Sequence, residues 1–474
     1  MHFCSVAYLL FFVFIFSAYW LIPSNKVRNY LLLVASFYFY ATWNSWLAVL
    51  VVASSSLDFF LAIQLEKSSK SGSRKAYLIA SVLANMGLLC YFKYANFFLE
   101  SLKELLSKMG LETHFSFFSI VIPIGISFYT FEAISYMADV YSRKISAEKR
   151  LPNFLLFILF FPHLVAGPIV RSRDFLPQIR KTKIWNWSRM HLGLQMVLMG
   201  LFKKLVIADR MAFYADPVFA DPDGFRQGAL WIGMIAYALQ IYGDFSGYTD
   251  MAIGFAHMLG FKLTKNFNMP YLAVNISDFW RRWHISLSSW LRDYLFIPLG
   301  GSRGGLWLTC RNLMITMTLG GLWHGASWNF VVWGMIHGAL LVCHKLFTRF
   351  CENWVLLQSL LLTRVGTAFR IALTFVCVSV IWVFFRAQTF AESMSFLHGL
   401  FVSHAGKAEP MNAVGLLLII FLVAVAHVSG VKKYWQSLYQ KIPAPVLGMV
   451  YALFLNFCPF VAPPVGKPFI YFQF

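Results

Sequence analysis

Residues 319 to 338 read Leu319-Gly-Gly-Leu-Trp-His-Gly-Ala-Ser-Trp-Asn-Phe-Val-Val-Trp-Gly-Met-Ile-His-Gly338. Twenty residues pass without one Asp, Glu, Lys or Arg. That is the length, about 20 residues, which a bilayer core asks of a helix. Lipid offers no partner to an open strand, so a chain built from such stretches folds as helices. Five glycines, three tryptophans and two histidines, His324 and His337, fill the stretch. An imidazole here is costly to bury unless it is paired or used. Gly320, Gly321 and Gly325 remove side chains around His324, so backbone or substrate can come close. From these residues alone, a satisfied core histidine on a packed helix and a working histidine stand equal.

The rest of the chain has the same character. Of 474 residues 59% are hydrophobic, 18% aromatic and 13% charged, and the mean hydropathy is +0.63. A soluble domain carries about 25% charge. The chain therefore reads as an all-α polytopic membrane protein, one integral-membrane domain over residues 1–474. A net charge of +20 raises nucleic acid as a partner. The basic residues fall between apolar runs instead, as cytoplasmic loops facing anionic lipid do, so no nucleic acid is expected. Seven cysteines are scattered without a C-x-x-C pair, which suggests neither a disulfide framework nor a zinc site. Met1–Ile22 lacks a basic lead and a small-x-small cleavage site, and is read as the first transmembrane helix.

Apolar runs fall near 3–22, 30–43, 46–65, 76–98 and 117–139. The loops between them alternate: Lys26 and Arg28, an uncharged 41–45, a basic 66–75, a slightly acidic 100–112, a basic 143–150. Positive charge faces the cytoplasm, so the N-terminus is placed outside. Residues 153–170 are apolar but hold Pro162, His163, Gly167 and Pro168 between two basic segments. They are read as a re-entrant hairpin, since broken backbone at membrane depth must be enclosed by protein. Further runs lie near 190–208, 229–243 and 247–261; Asp244 and Asp250, between the last two, are expected to pair with basic residues. Asn275–Ile297 is read as one amphipathic helix in the interface or inside the bundle, capped by Asn275 or Ser277 and ended by Pro298. On it Asp278 and Arg282 are i,i+4 partners, and Arg281 and Arg292 share a face. The loop Gly300–Gly305 lacks P-loop spacing. Lys345–Arg370 reads as a polar segment, followed by spans near 368–385, 413–431 and 446–462.

His284 and His324 lie in the two most unusual segments, forty residues apart. A neutral imidazole can take a proton from a hydroxyl near pH 7 and return it. The chain has no G-x-S-x-G or H-E-x-x-H, and the spacing of His324, His337 and His344 matches no metal motif, so no metal is expected. Histidine-centred group transfer is the chemistry that remains.

The two histidines stand in Phe279-Trp-Arg-Arg-Trp-His-Ile-Ser-Leu-Ser-Ser-Trp-Leu-Arg-Asp-Tyr-Leu-Phe-Ile-Pro-Leu-Gly-Gly301 and Leu322-Trp-His-Gly-Ala-Ser-Trp-Asn329. These motifs resemble the membrane-bound O-acyltransferase family, in particular its branch of bacterial alginate O-acetylases. Pro123–Phe131, Phe161–Ile169, Tyr242–Tyr248 and Phe469–Phe474 agree with it. The resemblance implies about eleven transmembrane helices, with re-entrant or interfacial helices, around a central tunnel. It makes His324 the catalytic histidine and His284 its upstream partner; Trp283, Arg281, Arg292, Trp323 and Asn329 are expected to contact substrate. Burial in an uncharged, aromatic-rich stretch is expected to hold His324 neutral. It also implies a multi-pass protein of the bacterial inner membrane with no bound cofactor and acetyl-CoA as donor. A periplasmic partner protein would place the acetyl group on the polysaccharide. Arg171, Arg173, Arg180, Lys181 and Lys183 are read either as a pyrophosphate site or as ordinary positive-inside charge. Two other readings stay open: D-alanyl export to teichoic acid by a related enzyme, and a transporter that makes no bond.

Overall fold

Apolar runs that must satisfy their own backbone in lipid become helices. The computed structural model describes residues 3–111, 120–165, 167–403, 405–407, 413–431, 442–461 and 469–470. Among the described residues there is no β-strand, only a single bridge between Phe225 and Lys407. Also among the described residues, five helical stretches are long and apolar enough to cross a bilayer: Ser45–Lys67, Ser71–Lys108, Trp187–Ala220, Trp328–Cys351 and Arg364–Arg386. Shorter apolar helices cover Val6–Leu21, Leu151–Leu164, Gly415–Gly430 and Pro445–Phe454. The chain is a polytopic helical membrane protein, divided into two compact units.

The first unit is Met1–Val197 with Thr249–Thr264. Its helices are α1 Val6–Leu21, α2 Asn25–Ala41, α3 Ser45–Lys67, α4 Ser71–Leu89, α5 Ala95–Lys108, α6 Ile126–Tyr141, α7 Leu151–Leu159, α8 Phe161–Leu164 and α9 Ser172–Arg180. Asp58 on α3 accepts from Ser81 and Asn85 on α4, a polar staple within an apolar pair. The loops that charge alternation places on one side of the membrane meet in the structure. Arg28 donates to the Lys183 carbonyl (2.8 Å), Arg74 to the Tyr141 carbonyl (2.7 Å), and Lys149 pairs with Glu66.

The segment read as re-entrant is too short to span. Helix α7 has nine residues, about 13 Å of rise, against a hydrocarbon core of about 30 Å. It breaks at Phe160, ahead of Pro162. Glu148 before it and Arg180 after it form an ion pair at 2.6 Å, so the two ends of the segment lie side by side. The turn is anchored from α6, where the buried Glu132 accepts the Val170 N–H (2.8 Å) and meets His163 Nε2 (3.3 Å). Gly125, at φ +75°, opens α6 where a Cβ would lie 2.5 Å from the Leu164 carbonyl oxygen.

The second unit is Leu198–Tyr248 with Lys265–Phe474. Between α9 and this unit begins α10, Trp187–Phe202. There follow α11 Asp209–Ala220, α12 Gln227–Met258, α13 Ile276–Arg282, α14 Ile285–Leu291, α15 Leu306–His324, α16 Trp328–Cys351, α17 Val355–Leu362, α18 Arg364–Arg386, α19 Phe390–Phe401, α20 Ala413–Val431 and α21 Ala444–Val461. Three expectations are corrected here. The two runs expected around 243–250 are one 32-residue helix, α12. Asp244 does not interrupt it, because Lys204 Nζ lies 2.8 Å from its carboxylate and 2.9 Å from Asp209. Asn275–Ile297 is two short helices rather than one. The chain bends at His284, held at φ 43° and ψ 54°, so Arg281 and Arg292 share no helix face. Within it the Asn275 cap on Asp278 N (2.8 Å) and the Asp278–Arg282 pair (2.9 Å) are present.

Residues 319–338 likewise do not form one helix. Helix α15 stops at His324, and α16 starts at Trp328. Lys345–Arg370 is not uniformly polar, since Val355, Leu356 and Leu362 on and beside α17 are over 70% exposed. Such an apolar exterior suits lipid rather than water. Of the C-terminal sextet, only Phe469 and Ile470 lie within the described residues.

Candidate active site

His324 sits where α15 gives way to α16. Gly325 turns extended (φ −158°, ψ 154°), and Ser327 caps α16 by accepting the Asn329 N–H at 3.2 Å. The two helices double back along each other with almost nothing between them. A Cβ on Gly321 would lie 2.2 Å from the Phe330 carbonyl oxygen and 2.9 Å from Gly334 Cα. The imidazole is buried and ringed edge-on by Trp323 (4.9 Å between centroids), Trp333 (5.1 Å) and Phe385 (5.3 Å).

His284 reaches the same buried aromatic cluster, the histidine chamber, from the α13–α14 bend. Its centroid is 6.4 Å from that of His324. Asn266 Oδ1 lies 3.1 Å from His284 Nδ1 and accepts from Ser286 N (3.1 Å) and Ser286 Oγ (2.9 Å). A backbone N–H can only donate, so the Asn266 atom facing it is the oxygen, and His284 Nδ1 must carry a hydrogen. In the neutral ring Nε2 is then the basic nitrogen. Phe245 packs edge-on against this imidazole at 4.7 Å.

The remaining expected residues divide into two groups. Trp323 is a wall of the chamber. Trp283 is buried and stacks on Phe279 (5.6 Å, 16°) and against Trp382 (5.0 Å), behind the histidines. Asn329 is buried too, with its amide N–H₂ donating to the Ala387 carbonyl (2.9 Å), which ties α16 to the end of α18. Arg281 and Arg292 are exposed to a cavity of about 680 Å³, shared with Lys345, Ser288, Thr316 and Trp280. Its volume is within the roughly 300–1,000 Å³ of small-molecule sites. Trp280 packs on Trp333 (5.8 Å), and Trp333 on His324 (5.1 Å), so one aromatic layer separates cavity wall from imidazole.

Sequence reasoning missed Asn266, Ser286, Trp333, Phe385 and Lys345. Asn266 stands in a loop without periodicity, and only the fold brings it to His284. Trp333 had a signal, since it shares the uncharged stretch with His324.

The basic cluster read as a possible pyrophosphate site has other partners. Arg180 pairs with Glu148, and Lys183 donates to the Gln178 carbonyl (2.6 Å) while lying over the Phe261 ring (4.4 Å). Burial, with Arg189 and Lys181 adding repulsion, pushes the Lys183 ammonium down to about 8.

An all-helical membrane protein with paired imidazoles sealed among aromatic rings falls in the class of integral-membrane group-transfer enzymes. The chain belongs to the membrane-bound O-acyltransferase family, MBOAT, whose model matches residues 83–385. It is an O-acyltransferase that draws on an acyl-donor substrate. A Pseudomonas aeruginosa protein named "Probable alginate O-acetylase AlgI" is 37% identical over 452 residues, covering 94% of this chain and 84% of its own. The "Peptidoglycan O-acetyltransferase" of Helicobacter pylori is 35% identical over 395 residues, 78% of this chain and 73% of its own. The "Teichoic acid D-alanyltransferase" of Bacillus subtilis is 31% identical over 267 residues, 53% and 65% of the two chains.

Proposed function

We propose that this protein is an inner-membrane O-acetyltransferase that moves an acetyl group from a cytoplasmic thioester donor, acetyl-CoA, toward an exported polysaccharide such as alginate. The observation that carries the reading is the meeting of His284 and His324, forty residues apart in sequence, in one buried chamber 6.4 Å between centroids. His324 acts as general base. It takes the proton of the acceptor hydroxyl as that oxygen bonds to the acyl carbon, and returns it to the thiolate released when the C–S bond breaks. Such help is worth about 10²–10⁴-fold. His284, oriented through Asn266, holds the reacting groups. Arg281, Arg292 and Lys345 give the adjacent cavity the charge to hold the donor's phosphates.

The described residues are mostly helical, with five helices fit to span a bilayer, and the extended polymer is gripped by a separate periplasmic acetyltransferase docked outside. The relatives named for alginate and peptidoglycan O-acetylation support an acetyl group on a carbohydrate hydroxyl. The teichoic acid relative aligns over only 53% of this chain, which makes D-alanyl export the weaker reading.

The test is acyl transfer by purified protein in proteoliposomes. His324→Ala should abolish nearly all transfer while inserting normally. His284→Ala should keep more, and the double variant should be little worse than His324→Ala. Near-normal transfer by well-inserted His324→Ala returns the chain to a structural histidine. Full-rate acetylation of polysaccharide by this protein alone removes the partner.

A further inference from the structure

The far C-terminal segment reaches the back of the histidine chamber. Phe469 and Ile470 are fully buried. Ile470 N donates to Asp244 Oδ2 at 2.7 Å, and the other oxygen of that carboxylate is 2.8 Å from Lys204 Nζ. Lys204 also meets Asp209 at 2.9 Å. A buried ion cluster is thus tied to one backbone N–H more than two hundred residues away. The Phe469 ring lies 4.2 Å from that of Tyr248 and 6.0 Å from Phe245, centroid to centroid. Phe245 is the ring set edge-on against His284 at 4.7 Å, one helical turn from Tyr248 and next to Asp244.

Asn266 fixes one edge of the imidazole by a hydrogen bond. Ring packing sets its tilt about that bond, from Phe245 at 4.7 Å and Trp323 at 6.2 Å, both edge-on. Phe245 limits the tilt, and Phe469 backs Phe245. We propose that Phe469 is a positioning residue for His284, clasped in place by the bond from Ile470 to the Lys204-paired Asp244. Phe469 acts on the imidazole through Phe245. This deepens the proposed function and rests on the part given there to His284. Losing the Phe469 ring opens space behind Phe245, and an ångström of slack at a reacting group can cost up to about 10²-fold.

The experiment is a double-variant cycle in proteoliposomes, reading kcat and the donor KM. Phe469→Ala should lower kcat about tenfold with donor KM unchanged, because the donor cavity lies elsewhere. Phe469→Leu, which keeps apolar bulk, should recover most of the rate. In the His284→Ala background Phe469→Ala should cost less than about twofold, since nothing remains to be positioned. Should Phe469→Ala insert poorly, Phe469→Leu alone carries the cycle, with a smaller loss that again vanishes beside His284→Ala. An equal loss in both backgrounds, or a loss confined to KM, overturns the positioning role and leaves the His324 chemistry standing. Normal transfer by His284→Ala overturns the positioning role together with the part given to His284, and leaves the His324 chemistry to be tested by His324→Ala.

Discussion

Gly321→Ala is the most discriminating small change that the structure offers. A Cβ at this position would lie 2.2 Å from the Phe330 carbonyl oxygen and 2.9 Å from Gly334 Cα. A C···O contact settles near 3.3–3.6 Å, so α15 and α16 must part by about 1 Å. Neither obstacle is a flexible side chain; both are backbone. His324 lies three residues on, one turn or about 4.5 Å along the axis, so it moves with the displaced helix. Overpacking typically destabilises by about 1–3 kcal/mol, while Gly to Ala in a helix returns about 1 kcal/mol. The net stability loss is therefore about 0–2 kcal/mol. The rate should suffer more, because about 1 Å of misplacement at the chemistry is worth up to about 10²-fold. Acyl transfer and thermal unfolding in the same detergent preparation separate the two. Gly87→Ala on α4 is the control: nothing lies within 4 Å of its Cβ, so it should raise stability by about 1 kcal/mol and spare activity. Wild-type transfer by Gly321→Ala would show that the α15–α16 contact does not set the position of His324.

Other perturbations read other parts of the molecule. Asn266→Ala frees His284 Nδ1 and should reduce transfer about tenfold, the scale of one orienting hydrogen bond; an unchanged rate would remove Asn266 from the site. Lys183 is held down to about 8 by burial, then by Arg189 and Lys181, against an ordinary 10.5. Between those values the unfolded chain keeps a proton that the folded chain has lost, so stability from this residue rises with pH. Thermal scans from pH 8 to 10 should show wild type gaining on Lys183→Met, and a gap that widens the other way contradicts the assignment. Single cysteines at Ser69 and Lys181 should label from one side of the membrane and one at Glu104 from the other; Ser69 and Lys181 on opposite sides would undo the re-entrant reading of α7 and α8.

Much of this was legible without coordinates because membrane physics is simple. Apolar runs in lipid must satisfy their own backbone, so their helical character follows from composition. The short-range signals worked for the same reason: the Asn275 cap and the Asp278–Arg282 pair are local, and local geometry follows from spacing. Expectations failed where a break or its absence depended on a distant partner. Asp244 looked like an interruption between two spans, yet it lies inside one helix because Lys204 supplies a counter-charge. Periodicity across 275–297 put Arg281 and Arg292 on one face. The left-handed residue His284 breaks that periodicity, and the two arginines meet at one cavity by folding.

The sequence by itself determined that this is an all-helical membrane protein, and it singled out His284 and His324 by the company they keep. Those are properties of composition and local pattern, which any twenty-residue window displays. Only the tertiary structure decided that the two imidazoles share a chamber and that Asn266 sets the tautomer of one. It alone seated Phe469, the Asp244 ion cluster and Phe245 behind them. The reason is physical. Helices in lipid pack through small residues and buried polar pairs rather than through a solvent-driven hydrophobic stripe. Which helix meets which is therefore written in a few close contacts, such as Gly321 on Gly334, that carry no periodic signature along the chain.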